Sequence, residues 1–187
     1  MADRLGSFPV AEIRISPMER CAETIDPWLK QYVVRTNPKV AATIDPRINE
    51  VDYGMWSGKK LSSLIRKREW ATVQESPSRM YFPNGEGIAA MQSRAMESVH
   101  ELANLADSKV GVIVSHGDVI KSIVASALGM HLDEFQRIIV DPASVSIIEY
   151  SGIKPRLLLL NDTRAVVTDL LLAPKRSKNL LGGGAGK

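Results

Sequence analysis

The chain has 187 residues, 44% of them hydrophobic and 24% charged, enough to close one domain around a core and too apolar for wholesale disorder. A net charge of +3 suits an anionic ligand but is too mild to argue for a specific nucleic-acid partner. The single cysteine, Cys21, excludes an internal disulfide framework and a cysteine-based metal site, and no apolar run approaches the roughly 18 residues that suggest a membrane span.

Met1 to Gly6 reads as the last turn of a helix stopped by a glycine. The first ten residues, MADRLGSFPV, lack the apolar core of a signal peptide, so a cytoplasmic location is expected. Glu12 to Ile15 alternates like a short strand. Ser16-Pro17-Met18-Glu19 then has the form of a helix start, with serine as N-cap, proline in the first turn and glutamate closing a capping box. Arg20 falls in that first turn, near the positive end of the helix dipole; it is either a solvated cation or an anion ligand. Cys21 reads as packing, and Pro27 is expected to kink or end the helix.

Val40 to Ile44 reads as another short strand. Glu50 and Asp52 follow it, two carboxylates that do not share a helix face and need not act together. Either could be a general acid or a solvated loop residue. Lys59 to Arg68 has helical character. Residues 70–87 show no sustained period and read as a long loop of the kind that covers a site. Ile88 to Ala106 reads as a helix with Ile88, Met91, Ala95, Val99, Leu102 and Leu105 on one stripe. His100 beside that stripe reads as structural or solvated, and Met91 and Met96 as ordinary helix residues.

Val110 to Val114 is a β-branched run of the kind found in fully buried strands. Ser115, His116, Gly117 and Asp118 follow, and then apolar residues at helical spacing as far as Leu128, with Gly129 as the cap. His116 therefore lies at the carboxyl end of a strand and beside a helix N-terminus. In open α/β sheets that crevice binds ligands, and the helix end favours anions. A turn-capping role is the alternative. His131 falls in a surface connection. Ser144 to Tyr150 and Arg156 to Leu160 read as two strands joined at Ser151-Gly152. The division expected is a domain over 1–172 and a disordered basic, glycine-rich tail over 173–187.

Four segments in this order, SPMERCAET at 16–24, NEVDYGMWSGKKL at 49–61, FPNGEG at 82–87 and VSHGD at 114–118, make the chain resemble the histidine phosphatase superfamily, whose founding members are the cofactor-dependent phosphoglycerate mutases. The likeness runs from about Glu12 to Thr163. It implies an α/β fold, a three-layer α/β/α sandwich with a mostly parallel sheet, and phosphoryl transfer on a small phosphorylated substrate with no metal and no cofactor. By motif, Arg20 and His116 would hold the phosphoryl oxygens, Glu50 would be the acid that protonates the leaving oxygen, and Glu86 would sit in the loop that meets the substrate. Gly87 stands where the family commonly has serine. The chemistry suits these roles, because phosphoryl transfer needs fixed cationic donors and an acid whose pKa is raised toward neutrality.

The family's first motif, Arg-His-Gly, carries its nucleophilic histidine at the end of a central strand. No Arg-His pair occurs in these 187 residues, whose three histidines are His100, His116 and His131. The fold is therefore expected to be N-terminally truncated, lacking its first strand and helix, with sheet edges left open. Three readings follow: a phosphatase or mutase whose true start lies upstream, an inactive phosphate-binding pseudoenzyme, and a basic-tailed nucleic-acid binder. Negligible phosphatase activity is expected of this exact chain.

Overall fold

Three short parallel strands frame the protein. The computed structural model describes residues 2–33, 40, 42–105 and 109–164. Strands β1 (Val10–Ile15), β2 (Ala42–Ile44) and β3 (Val110–Val114) form one sheet in the order β2-β1-β3, with β1 parallel to both neighbours. Ile13 lies opposite Ala42 and Val112, and Ile15 opposite Ile44 and Val114. A register shift between Val10 and Glu12 lets Val10 share a face with Ile13 despite their odd spacing.

That face meets helix α1 (Ala2–Leu5) and helix α2 (Glu19–Trp28) through Leu5, Phe8, Cys21, Ile25 and Trp28. On the other face lie helices α5 (Ile88–Leu105) and α6 (Gly117–Leu128), which bury Met91, Ala95, Val99, Val119, Ile123 and Val124 with Ile113 packed against them. Helices cover the sheet on both sides, which is the expected three-layer α/β/α arrangement. A hairpin of β4 (Val145–Glu149) and β5 (Arg156–Asp162) is antiparallel, and among the described residues no ladder joins it to β3. Arg4 of α1 ties the hairpin to the rest, donating to the Asp162 carboxylate at 2.9 Å and to Ala143 O at 3.0 Å.

Three sequence expectations change. Residues 70–87 are not one loop. Helix α4 (Arg68–Glu75) follows the short α3 (Leu61–Leu64), a 3-10 turn spans Pro77–Arg79, and Tyr81 bridges Gly87. Ser16 does not cap α2. The helix starts at Glu19 with Met18 as its cap, without a side-chain cap bond, because the Ser16 hydroxyl is engaged by His116 and Asn49. Pro27 neither ends nor sharply breaks α2. The helix runs one residue beyond it and widens into a π turn over Leu29–Val33, where the missing proline N–H leaves the ladder loose. Gly129 closes α6 in the left-handed conformation at φ 68°, as its sequence position suggests. The expected tail lies outside the described residues, and among those described no helix is long and apolar enough to cross a membrane.

Candidate active site

The parallel register brings the carboxyl ends of all three strands to one edge. Ser16 N donates to Val114 O at 2.9 Å, extending the β1–β3 ladder by one residue. Asp45 N likewise donates to Ile15 O at 2.9 Å. Three connections therefore leave the sheet side by side. Ser16 to Arg20 follows β1, Asp45 to Glu50 follows β2, and Ser115 to Asp118 follows β3. Helices α2 and α6 both start at this edge, so their N-terminal dipole ends add to an anion-favouring field.

His116 is buried at the N-terminus of α6, in extended conformation, and its ring makes no cap bond to the helix. Its Nε2 lies 2.6 Å from Ser16 Oγ, and its Nδ1 lies 2.8 Å from Arg20 Nη2. Burial pulls its pKa down to about 4, with the cations of Arg20 and Arg94 acting in the same direction. The ring is therefore neutral at pH 7. Cys21 Sγ sits 3.6 Å from Nε2, and burial pushes its thiol up, so it packs as a neutral side chain.

Glu50 has the opposite perturbation. Burial raises its carboxyl to about 7, and the nearby Asp118 carboxylate adds to the rise. The Val51 N–H, Arg20 and Arg94 oppose it. Glu50 is therefore within electrostatic reach of Arg20, and about half protonated near neutral pH. Asp52 has a structural task. Its side chain accepts from Gly54 N at 2.8 Å and shapes the turn. Tyr53 donates to Asp118 Oδ2 at 3.1 Å, and burial pushes its phenol up.

Glu86 is engaged by Arg94. The guanidinium meets both carboxylate oxygens at 2.7 Å, and it also donates to Arg47 O at 2.7 Å, Asn49 O at 2.8 Å and Glu50 O at 3.2 Å. One side chain of α5 thus holds the Glu50 segment and the 82–87 loop together. The two loops interlock at their glycines. A Cβ on Gly54 (φ +50°) would lie 2.3 Å from Pro83 O, and one on Gly85 would lie 2.3 Å from Asp52 O.

Of the residues singled out from sequence, Arg20, Glu50 and His116 converge at this edge, and Glu86 lies behind it on Arg94. His100 is exposed on α5, and His131 caps the Leu132–Arg137 turn by accepting from Asp133 N. Arg94, Ser16 and Tyr53 were missed as site neighbours. Arg94 is one of 24 lysines and arginines, and nothing in its local spacing marks it. Among the described residues no group of three or more His, Cys, Asp and Glu side chains could hold a metal ion.

Residues 1–163 match the sequence profile of the histidine phosphatase superfamily (branch 1). Phosphoserine phosphatase 1 of Hydrogenobacter thermophilus is 30% identical over 168 residues, covering 87% of this chain and 75% of that protein. Among solved structures, Bacillus stearothermophilus YhfR superposes with a TM-score of 0.70 at 24% identity, covering 83% of this chain and 75% of that one. The alpha-ribazole phosphatase of Shigella flexneri superposes with a TM-score of 0.67 at 23% identity, again over 83% of this chain and 75% of the other. Both structural likenesses are matches of fold.

Proposed function

Because the chain belongs to the histidine phosphatase superfamily, we propose that the edge formed by Arg20, His116 and Glu50 is the phosphate-binding and acid half of a phosphomonoesterase active site. The observation that carries this is the pairing of opposite perturbations at one sheet edge. A permanently cationic Arg20 lies 2.8 Å from a neutral, buried His116, beside a carboxyl raised to about 7. The cation and the two helix ends would hold the phosphoryl oxygens. A carboxyl that keeps its proton near neutral pH can pass it to the leaving oxygen as the P–O bond breaks. The phosphoryl group itself would go to a histidine nucleophile supplied by the family's Arg-His-Gly motif, which these 187 residues do not contain.

His116 is a poor substitute nucleophile, since Nε2 is engaged by Ser16 and Nδ1 by Arg20. The reading is therefore binding without turnover for this exact chain, and phosphomonoester hydrolysis once a nucleophile is present. The substrate class is a small phosphorylated metabolite in a cytosolic setting, in keeping with the relative named for phosphoserine. The test is a titration with inorganic phosphate alongside an assay of phosphate release from a generic phosphomonoester between about pH 5 and 8. Saturable phosphate binding with negligible release is expected. Turnover that His116→Ala abolishes would make His116 the nucleophile and overturn the division of roles.

A further inference from the structure

We propose that Ser16 is a positioning residue that keeps the His116 ring proton on Nε2 when Arg20 is displaced, so that an oxyanion arriving at Nδ1 is bound together with one proton. The oxyanion part rests on the phosphate-site reading above; the tautomer does not.

The hydrogen-bond accounting leaves one arrangement. A guanidinium only donates, so the nitrogen 2.8 Å from Arg20 Nη2 must offer a lone pair. Nδ1 is therefore bare, and the single proton of the neutral ring is on Nε2. Ser16 Oγ, 2.6 Å away, accepts it. The serine hydrogen then goes to Asn49 Oδ1 at 3.1 Å, and Met18 N–H approaches the same oxygen at 3.4 Å. Ser16 has no exposed surface, and its backbone is fixed by the bond to Val114 O, so bulk water does not compete for the hydroxyl.

An oxyanion that takes Arg20's place at Nδ1 presents lone pairs to a lone pair. Moving the ring proton from Nε2 to Nδ1 would require Ser16 to swing its hydrogen away from Asn49. Adding a proton instead leaves the Ser16 bond intact and makes both ring nitrogens donors, with the new cation against the anion. The groups around the ring allow this. Arg20 and Cys21 of α2 and Ser16 touch it, and Arg94 of α5 acts on it through its charge. Asn49 meets Ser16, and the α6 carboxylate of Asp118 and the Arg20 cation both act on Glu50. The arginines stay cationic and the thiol stays neutral. At about pH 5.5, Glu50 keeps its proton with and without an anion, whereas His116 is neutral until the anion arrives.

Two measurements on the full chain test this. Nitrogen NMR of the imidazole in the ligand-free protein at about pH 7 reads the tautomer directly, and the proton is expected on Nε2. Sulfate, which does not titrate in this range, is then added by calorimetry at about pH 5.5 in buffers of different ionisation heat. Uptake of about one proton per bound sulfate is expected, lost in His116→Asn and reduced to below about half in Ser16→Ala, whose ring is free to change tautomer. A proton found on Nδ1, sulfate bound without proton uptake, or a Ser16→Ala protein with unchanged uptake would overturn the proposal. If sulfate does not bind at all, the phosphate-site reading fails and takes the coupling with it, while NMR still decides the tautomer. If Ser16→Ala does not fold, the wild-type tautomer and proton count decide.

Discussion

Replacing Arg94 with methionine should loosen the Glu50 segment and cost about 3 kcal/mol of stability. Methionine keeps the apolar stem and most of the length but removes five polar contacts. Among the described residues Glu86 would retain only the Asp52 N–H, at 3.4 Å, and the carbonyls of Arg47, Asn49 and Glu50 would lose the Arg94 donor. An exposed ion pair is worth about 1 kcal/mol or less, whereas breaking a fully buried one costs roughly 3–5. Here the two side chains are 22% and 21% exposed, so the pair lies toward the buried limit, with some water access to the orphaned groups. For a chain of this size about 3 kcal/mol corresponds to a Tm lowered by roughly 6–12 °C. Urea unfolding followed by circular dichroism measures the loss. A cycle with Glu86→Gln should give a coupling of about 2 kcal/mol, because either change alone breaks the same bidentate contact. A loss below about 1 kcal/mol with no coupling would refute the clamp.

Two further predictions come from titration. Glu50 has a folded pKa raised above its unfolded value, so the folded state holds its proton more tightly and loses stability as pH rises through about 4.5 to 7. Relative to wild type, Glu50→Gln should therefore gain about 2 kcal/mol between about pH 5 and 8, read from urea midpoints; a difference that stays constant contradicts the buried acid. Asp45 has the reverse sign. Burial alone would raise its carboxyl, but hydrogen bonds from Arg47 and Ser98 hold it down at about 2, so its contribution is present above about pH 4 and fades as pH falls toward 2. The destabilisation caused by Asp45→Asn should shrink by about 2 kcal/mol over that window, and a penalty independent of pH would contradict the assignment.

The strands were legible because their apolar runs are short and bounded by turn residues, with β3 β-branched as well, and α5 because its stripe is long enough to show a period. Helix α4 was not legible. Among its eight residues only Val73 is buried and Trp70 is partly covered, so it has too little of a core face to produce a pattern. The start of α2 misled for a different reason. Ser16 has the right residue type and spacing for a cap, but the end of β3 lies beside it, and a buried imidazole competes for its hydroxyl. Local spacing cannot register a partner 100 positions away. The same limit hid Arg94, whose contacts all lie on other segments. It also hid the use of Glu86, placed by motif in a substrate loop while its carboxylate is held by Arg94. Arg20, Glu50 and His116 could be grouped only by their resemblance to a family, because what unites them is a parallel sheet register.

Isothermal titration of inorganic phosphate into the wild-type chain and Arg20→Ala at about pH 7 tests the central assignment most directly. One saturable site is expected in the wild type, weakened roughly 10- to 100-fold in Arg20→Ala by loss of charge-assisted hydrogen bonds. Equal affinity in the two proteins, or no binding to a wild type shown to be folded, would contradict it.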